Sequence, residues 1–99
     1  ADTASAPAVR STQATVNNLG MLYLELKRFA EAEPLLLEGY EVRRRVLGPD
    51  DPDALTSTNN LGVLRVKQGR YADAEPYFRE AAEGFQRKAG IARPTAQCW

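Results

Sequence analysis

The sequence predicts an all-α fold made of two consecutive helix-turn-helix units, followed by the start of a third. Three observations lead to this prediction. The chain repeats itself at an offset of 42 residues. Apolar residues within each copy recur every three or four positions, and the predicted helices begin and end at residues typical of helix termini. The third unit is expected because Pro94 and Ala96 fall on Pro52 and Ala54 at the same offset.

The repeat is clearest in two short blocks. Residues 17–20 and 59–62 both read Asn-Asn-Leu-Gly, and residues 32–34 and 74–76 both read Ala-Glu-Pro. This register places unit one at about residues 11–52 and unit two at about residues 53–94, within a single domain that spans residues 1–99. The small and polar segment 1–8 is expected to be flexible.

In unit one, the first helix is predicted from apolar residues three or four positions apart: Leu19, Leu22, Leu26 and Phe29. Lys27-Arg28 forms the turn that follows. The second helix runs from about Ala30 to Leu47, and Gly48 comes next as a residue suited to a left-handed helix end.

In unit two, Asp51-Pro52 predicts the start of the first helix. The aspartate can cap free backbone amides, and the proline is tolerated in the first turn because its missing N–H has no helical partner there. Gly69-Arg70 predicts the turn. The second helix then runs over about residues 72–89 and closes at Gly90.

Pro34 and Pro76 lie about one and a half turns into the second helix of each unit. Each removes one backbone hydrogen bond from that helix. The sequence therefore predicts either a local bend at the proline or a loosely wound first turn that ends there.

The two helices of each unit are predicted to pack closely against each other. Small residues stand at the expected points of closest approach: Gly20, Ala32, Gly62 and Ala74. Larger apolar residues are predicted to fill the contact and to be buried: Leu19, Leu22, Leu36, Leu61, Leu64 and Phe78. Replacing Leu22 or Leu61 with alanine is expected to cost about 2–5 kcal/mol of stability.

Both units carry the residues of a known repeat pattern: Leu19, Gly20, Tyr23, Ala32 and Leu36 in unit one, and Leu61, Gly62, Ala74 and Phe78 in unit two. This pattern resembles the tetratricopeptide repeat. The period of 42 residues, the Asn-Asn-Leu-Gly and Ala-Glu-Pro blocks and the linker before Asp53 are similar to the kinesin light chain subtype. The resemblance implies an α-α superhelix without enzymatic activity, whose first helices line a concave groove that binds a peptide or a partner helix.

The resemblance implies six groove residues: Asn17, Met21, Leu24, Asn59, Val63 and Val66. Asparagine amides can donate to and accept from a peptide backbone. The methionine, leucine and valine side chains would form apolar pockets between them. Alternatively, Asn18 and Asn60, and less so Asn17 and Asn59, only bridge adjacent helices.

Composition excludes several classes of function. The 99 residues include 13 Lys and Arg and 13 Asp and Glu, so no net charge attracts nucleic acid or an anionic membrane. With no histidine and the single cysteine Cys98, neither a Cys/His zinc site nor a Cys/His catalytic pair is possible. We therefore expect no cofactor, no metal and no enzymatic activity, and the absence of a targeting segment favours the cytoplasm.

Two charged clusters have both a structural and a functional interpretation. Arg43-Arg44-Arg45 is predicted to be a solvated helix end, with a patch for phosphate or an acidic partner as the alternative. Asp50, Asp51 and Asp53 are predicted to cap the following helix, because their spacing lacks the later residues of an EF-hand calcium loop.

Two alternatives to groove binding remain at the level of sequence. The first is a structural unit that self-associates by end-to-end stacking of repeats, since two units are fewer than such arrays need unless Ile91 and Trp99 act as a cap. The second is RNA binding by a helical-repeat groove, which the neutral charge disfavours.

Overall fold

Residues 6–89 fold as a row of two helical hairpins. The computed structural model describes residues 6–89, which form four α-helices: α1 (Ala6–Glu25), α2 (Phe29–Leu47), α3 (Pro52–Lys67) and α4 (Tyr71–Ala89). Helices α1 and α2 form unit one, and α3 and α4 form unit two. The prediction of an all-α fold is confirmed for this part of the chain.

The turns inside the two hairpins have the same backbone structure. Lys27 has a φ of 62° in unit one, and Gly69 has a φ of 80° at the equivalent position of unit two. In each turn the next amide donates to a carbonyl five residues earlier: Arg28 N–H to Tyr23 O (2.8 Å) and Arg70 N–H to Arg65 O (2.7 Å). The repeat in the sequence is therefore a repeat in the structure.

The linker between the units ends one helix and starts the next as the sequence predicts. Gly48 follows α2 with a φ of 100°. The Asp51 carboxylate accepts a hydrogen bond from the Asp53 amide at 2.9 Å, which satisfies one of the free N–H groups of the first turn of α3. Pro52 occupies the first helical position, and capping is confirmed as the role of Asp51.

Glycine allows the two helices of each hairpin to approach closely. A Cβ on Gly20 would lie 2.9 Å from Leu36 Cδ2, and a Cβ on Gly62 would lie 2.8 Å from Phe78 Cε1. The second helices bring buried small residues to the hairpin contact: Ala32 and Ala74. The predicted close packing is confirmed in both units.

Helices α2 and α4 run without interruption through Pro34 and Pro76. Because α2 begins at Phe29, Pro34 removes a single hydrogen bond near the start of the helix. At the front of the chain, α1 begins at Ala6, upstream of the predicted start of unit one at about residue 11 and inside the segment expected to be flexible.

The main buried cluster lies between the two units. It combines residues of α1, α2 and α3: Leu24, Ala32, Leu36, Leu61 and Leu64. Because these residues come from both hairpins, the core is continuous across the contact between the units. Leu36, Leu61 and Leu64 are buried as predicted, and Phe78 is partly buried.

The predicted burial of Leu19 and Leu22 is wrong. Their residues are 41% and 54% exposed, whereas their repeat equivalents Leu61 and Leu64 are 0% exposed. Unit one covers this side of α3, and nothing in the described structure covers the same side of α1. The apolar spacing identified the helix correctly but not the neighbour that buries it.

Three predictions concern residues that lie outside the described range 6–89. They are the start of a third unit at Pro94 and Ala96, the helix end at Gly90, and the cap formed by Ile91 and Trp99. Residues 1–5 of the segment predicted to be flexible also lie outside it.

Candidate functional site

Helices α1 and α3 share a face that carries five of the six predicted site residues: Asn17, Met21, Asn59, Val63 and Val66. We call it the α1–α3 face. Within each helix these residues are three or four positions apart, so they lie on the same side of the helix. The asparagines occupy the middle of the helices and Val66 lies near the C-terminal end of α3.

The four asparagines of α1 and α3 have two different environments. Asn60 Nδ2 donates to Asn17 Oδ1 at 2.8 Å, which links α3 directly to α1. Asn60 is buried and Asn17 is partly buried, whereas Asn18 and Asn59 are exposed. The alternative role of bridging adjacent helices is therefore observed for Asn60 and Asn17, whereas Asn18 and Asn59 are exposed in the described structure.

Met21 and Val63 supply apolar surface next to this hydrogen bond. Both side chains are partly buried and pack against the core cluster. Buried leucines beneath them fix their positions, because a packed core leaves few alternative side-chain arrangements. The centre of the α1–α3 face is thus an apolar patch on a rigid support.

A hollow of about 430 Å³ lies at the C-terminal end of the α1–α3 face. Its walls come from the ends of α1 and α3 and the start of α2: Leu24, Glu25, Lys27, Phe29, Val66 and Lys67. Three of these residues are apolar and three are charged. The hollow therefore combines an apolar interior with a charged rim.

The assignment of Leu24 as a ligand-contacting residue needs correction. Leu24 is 0% exposed and belongs to the core cluster, whereas its repeat equivalent Val66 is 36% exposed. Unit two covers Leu24, and nothing in the described structure covers Val66 in the same way. Leu24 supports the hollow from beneath, and Val66 presents its side chain to it.

The sequence did not single out Lys27, Phe29 or Lys67 as site residues. Position 27 corresponds to Gly69 in the repeat, and position 67 corresponds to Glu25. The two lysines are therefore not repeat equivalents, and a comparison of the copies cannot pair them. Only the packing of unit two against unit one brings them to one hollow.

An ionic contact ties the opposite end of the face together. Arg10 on α1 donates to the carboxylates of Asp51 and Asp53, each with a shortest distance of 2.7 Å. The hydrogen bond from Arg10 lowers the pKa of Asp51. Because Asp51 also caps α3, this contact joins the start of α3 to α1.

Two of the three arginines in the run on α2 lie at the junction between the units rather than at a solvated helix end. Arg43 is 4% exposed, and its guanidinium donates to Ser57 Oγ at 2.7 Å and to the Asp53 carbonyl at 3.2 Å. Burial lowers the pKa of Arg43. The prediction is therefore wrong for Arg43, whose charge is sequestered between α2 and α3.

Arg44 is also engaged within the protein. It forms an ion pair with Glu80 on α4 and lies over the ring of Tyr40, 5.1 Å from its centre. Arg45 is exposed and matches the predicted solvated end. With two of the three cations engaged inside the molecule, the run offers little charge to a phosphate or an acidic partner.

The match to a known family agrees with this geometry. A family model for the tetratricopeptide repeat matches residues 11–87. The chain belongs to the tetratricopeptide repeat family. No curated protein sequence matches it. Tetratricopeptide repeats are generally non-enzymatic modules for protein interaction.

The α1–α3 face of this tetratricopeptide repeat offers apolar surface, amide groups and lysine charges.

Among residues 6–89, no three acidic or sulfur-bearing side chains come together as possible metal ligands. None of the helices α1 to α4 has the length and apolar character needed to cross a membrane.

Proposed function

We propose that the protein binds a peptide or a partner helix along the α1–α3 face. The observation that carries the proposal is the hollow of about 430 Å³ at one end of that face. Its base is Leu24, a member of the core cluster against which Met21 and Val63 also pack. The hollow and the central apolar patch therefore pack against the same core cluster.

The hollow suits an apolar side chain that has a carboxylate close to it. Leu24, Phe29 and Val66 supply the apolar walls. Its rim carries two cations, from Lys27 and Lys67, against one carboxylate, from Glu25. Complementary charge of this kind favours partners with negative charge beside the buried group and speeds their association.

Asparagine side chains would hold the backbone of the ligand. Asn59 is exposed in the middle of α3 and can both donate and accept. In Asn17, the side-chain oxygen already accepts from Asn60, so its N–H groups are what it offers to a ligand. Asn17 and Asn59 thus provide hydrogen-bond donors at equivalent positions of α1 and α3, and Asn59 also provides an acceptor.

Selection from a random peptide library displayed on phage tests the proposal. We expect the protein to enrich peptides with an apolar residue next to an acidic one. Val66→Glu places a charge in the hollow, and Asn59→Ala removes an exposed amide. Each substitution should weaken the selected peptides about tenfold or more, measured by fluorescence anisotropy, while circular dichroism shows an unchanged helix content.

Ala72→Glu is the matched control. Ala72 is exposed on α4, outside the α1–α3 face, so the same added charge should leave peptide affinity at the wild-type value. The proposal fails if the library yields no ligand, or if the selected peptides bind the Val66→Glu and Asn59→Ala variants as well as the wild type.

Self-association by end-to-end stacking is a second candidate function. The specific observation in its favour is that large apolar side chains are exposed at both ends of the row, with Leu22 at one end and Phe85 at the other. Such side chains are covered in most monomeric proteins when they form a continuous patch. A mass that rises with protein concentration would support this candidate.

We further propose that the repeats are of the kinesin light chain subtype. The support is the 42-residue period and the two repeated blocks, since the common repeat has a period of about 34 residues. A cytoplasmic location and the lack of nucleic-acid and membrane partners stay predictions from the sequence. A filter-binding assay with single-stranded RNA at low salt tests the nucleic-acid prediction, and no retention is expected.

A further inference from the structure

The exposed large apolar side chains of the described residues fall at the two ends of the row. They form an N-end face on α1, made of Leu19, Leu22 and Leu26, and a C-end face on unit two, made of Val66, Tyr71 and Phe85. Leucines of the N-end face are three and four positions apart, so they form one stripe along α1.

The repeat equivalents of Leu19, Leu22 and the C-end residues lie at the junction between the units, whereas Gln68, the equivalent of Leu26, is only partly buried. Leu61 and Leu64, which correspond to Leu19 and Leu22, are fully buried. On the opposite side of the same junction, the equivalents of the C-end residues are covered: Leu24, Phe29 and Arg43. Among residues 6–89, the two end faces are therefore the unmatched halves of a contact that the chain already makes once between its own units.

We propose that the C-end face of one molecule binds the N-end face of a second molecule, in a head-to-tail contact that repeats the junction between units one and two. This proposal rests on self-association, the second candidate function. It adds the polarity of the contact and the residues that make it. Leu19 and Leu22 of one copy then take the places of Leu61 and Leu64 beside the C-end face of the other.

The charges on both faces allow this contact. Helix α1 has no charged residue from Ser11 to Leu24. At the internal junction Arg65 pairs with Glu33, and Arg44 pairs with Glu80. The equivalent pairs at the head-to-tail contact are Tyr23 with Glu75 and Gln86 with Glu38. Neither pair places like charges opposite each other.

The most buried polar contact of the internal junction also has a compatible equivalent. Arg43 donates to Ser57 Oγ between α2 and α3. In the head-to-tail contact, Phe85 of one molecule takes the position of Arg43. Thr15 of the other molecule takes the position of Ser57. The buried cation is thus replaced by an aromatic ring, and its serine partner is replaced by a threonine whose hydroxyl donates to the Ser11 carbonyl of its own helix at 3.4 Å. The ring gains apolar burial there, and no charge is left unpaired.

A head-to-tail contact leaves one unpaired face at each end of any open assembly. Such contacts give open chains unless their rotation closes a ring. A symmetric contact between two N-end faces would instead stop at a dimer. The two arrangements therefore differ in how the mass depends on concentration and in which substitutions abolish assembly.

Sedimentation velocity of the full chain over a range of concentrations tests the proposal. For the wild type we expect the average mass to rise beyond twice that of the monomer at the highest concentrations. Leu22→Glu and Phe85→Glu should each be monomeric, because each blocks one face. An equimolar mixture of the two variants should form a one-to-one dimer and nothing larger, since one intact face remains on each partner.

Matched controls place the same charge outside the two faces. Ala14 on α1 corresponds to Thr56, and Ala72 on α4 corresponds to Ala30; both equivalents stay exposed beside the internal junction. Ala14→Glu and Ala72→Glu should therefore assemble like the wild type. Leu26→Glu provides a second block of the N-end face if Leu22→Glu loses helix content by circular dichroism.

The outcomes separate the proposal from the function on which it rests. A wild-type protein that stays monomeric at every concentration overturns self-association altogether. Assembly that survives in Phe85→Glu but not in Leu22→Glu identifies a symmetric N-end contact and overturns the head-to-tail polarity alone. A mixture of the two variants that remains monomeric overturns the polarity as well.

Discussion

Units one and two have the same hairpin structure but bury different residues. Their turns have the same hydrogen bonds, and Gly20 and Gly62 touch the partner helix in the same way. Yet Leu19 is exposed where Leu61 is buried, and Leu24 is buried where Val66 is exposed. Local interactions thus determine the hairpin, and the neighbouring unit determines which of its outer residues belong to the core.

The interiors of the two units also differ in how side-chain volume is divided between two equivalent positions. Leu55 and Gly84 pack together in unit two, and their equivalents in unit one are Gln13 and Val42. Gln13 is buried, and its Oε1 has no hydrogen-bond partner within the described structure. A large and a small residue in one copy thus correspond to two residues of intermediate size in the other, at the cost of a buried polar atom in unit one.

The sharpest test of this comparison is alanine substitution at equivalent leucines. Leu61→Ala removes a fully buried side chain from the contact between the units and should lower the free energy of unfolding by about 2–5 kcal/mol. Leu19→Ala removes the side chain of a residue that is 41% exposed and should cost less, about 1 kcal/mol. Urea unfolding followed by circular dichroism measures both.

Leu64→Ala and Leu22→Ala form an independent pair with the same expected asymmetry. The original expectation of a large cost for Leu22 is replaced by a small one, because that residue is 54% exposed. Measurements belong at a concentration where the protein is monomeric, so that stacking does not cover the N-end face. Equal losses at the two members of a pair would contradict the role assigned to the junction.

A second test concerns the glycines inside the second helices. A Cβ on Gly84 would collide with the buried side chain of Leu55, so Gly84→Ala should lower stability by about 1–3 kcal/mol. In unit one, a Cβ on Gly39 would lie 3.5 Å from Gln13 Oε1, an ordinary contact distance. Gly39→Ala should therefore raise stability by about 0.5–1 kcal/mol, because alanine favours the helix. Thermal unfolding of both variants checks the contrast.

Features that depend on short stretches or on pairs of equivalent residues were predictable from the sequence. Asp51-Pro52 identifies the start of α3 through its capping chemistry. Gly20 and Gly62 identify the close helix contact, because the same small residue recurs at the same place. The turn at Lys27 was located by its position before a helical pattern, without a glycine to mark it.

Features that depend on contact between the units were not predictable in the same way. Both copies show leucines at the spacing of a buried helix face, and the pattern cannot say which copy has a neighbour on that side. Arg43 reads as part of a basic run, and only the packing of α3 on α2 buries it. Lys27 and Lys67 meet at the hollow from positions that do not correspond in the repeat.

The cap of α3 gives a third test, at the linker between the units. Asp51→Ala removes the hydrogen bond to the Asp53 amide and should cost about 1 kcal/mol. Asp51→Asn keeps a capping oxygen and removes only the charge that Arg10 contacts. Because the pKa of Asp51 is lowered in the folded protein, its charge stabilises the fold above the ordinary pKa of an aspartate.

That contribution is lost as the pH falls through the lowered pKa of Asp51. The gap in stability between the wild type and Asp51→Asn should therefore be largest near neutral pH and should close once the pH lies below the lowered pKa of Asp51. Unfolding by urea at a series of pH values measures it. A gap that stays constant down to that pH would show that the charge of Asp51 plays no part, and that the cap alone matters.

The smallest expected effect lies at the turns, where the two units differ by one residue. Lys27 adopts a φ of 62° that Gly69 adopts at 80° in unit two. A residue with a Cβ pays about 1–2 kcal/mol in this region of the backbone, and glycine does not. Lys27→Gly should therefore raise the free energy of unfolding by about 0.5–1 kcal/mol after the greater freedom of glycine in the unfolded chain is counted. Gly69→Lys should lower it by a similar amount. If neither variant changes the thermal midpoint, a side chain at this turn position carries no backbone strain.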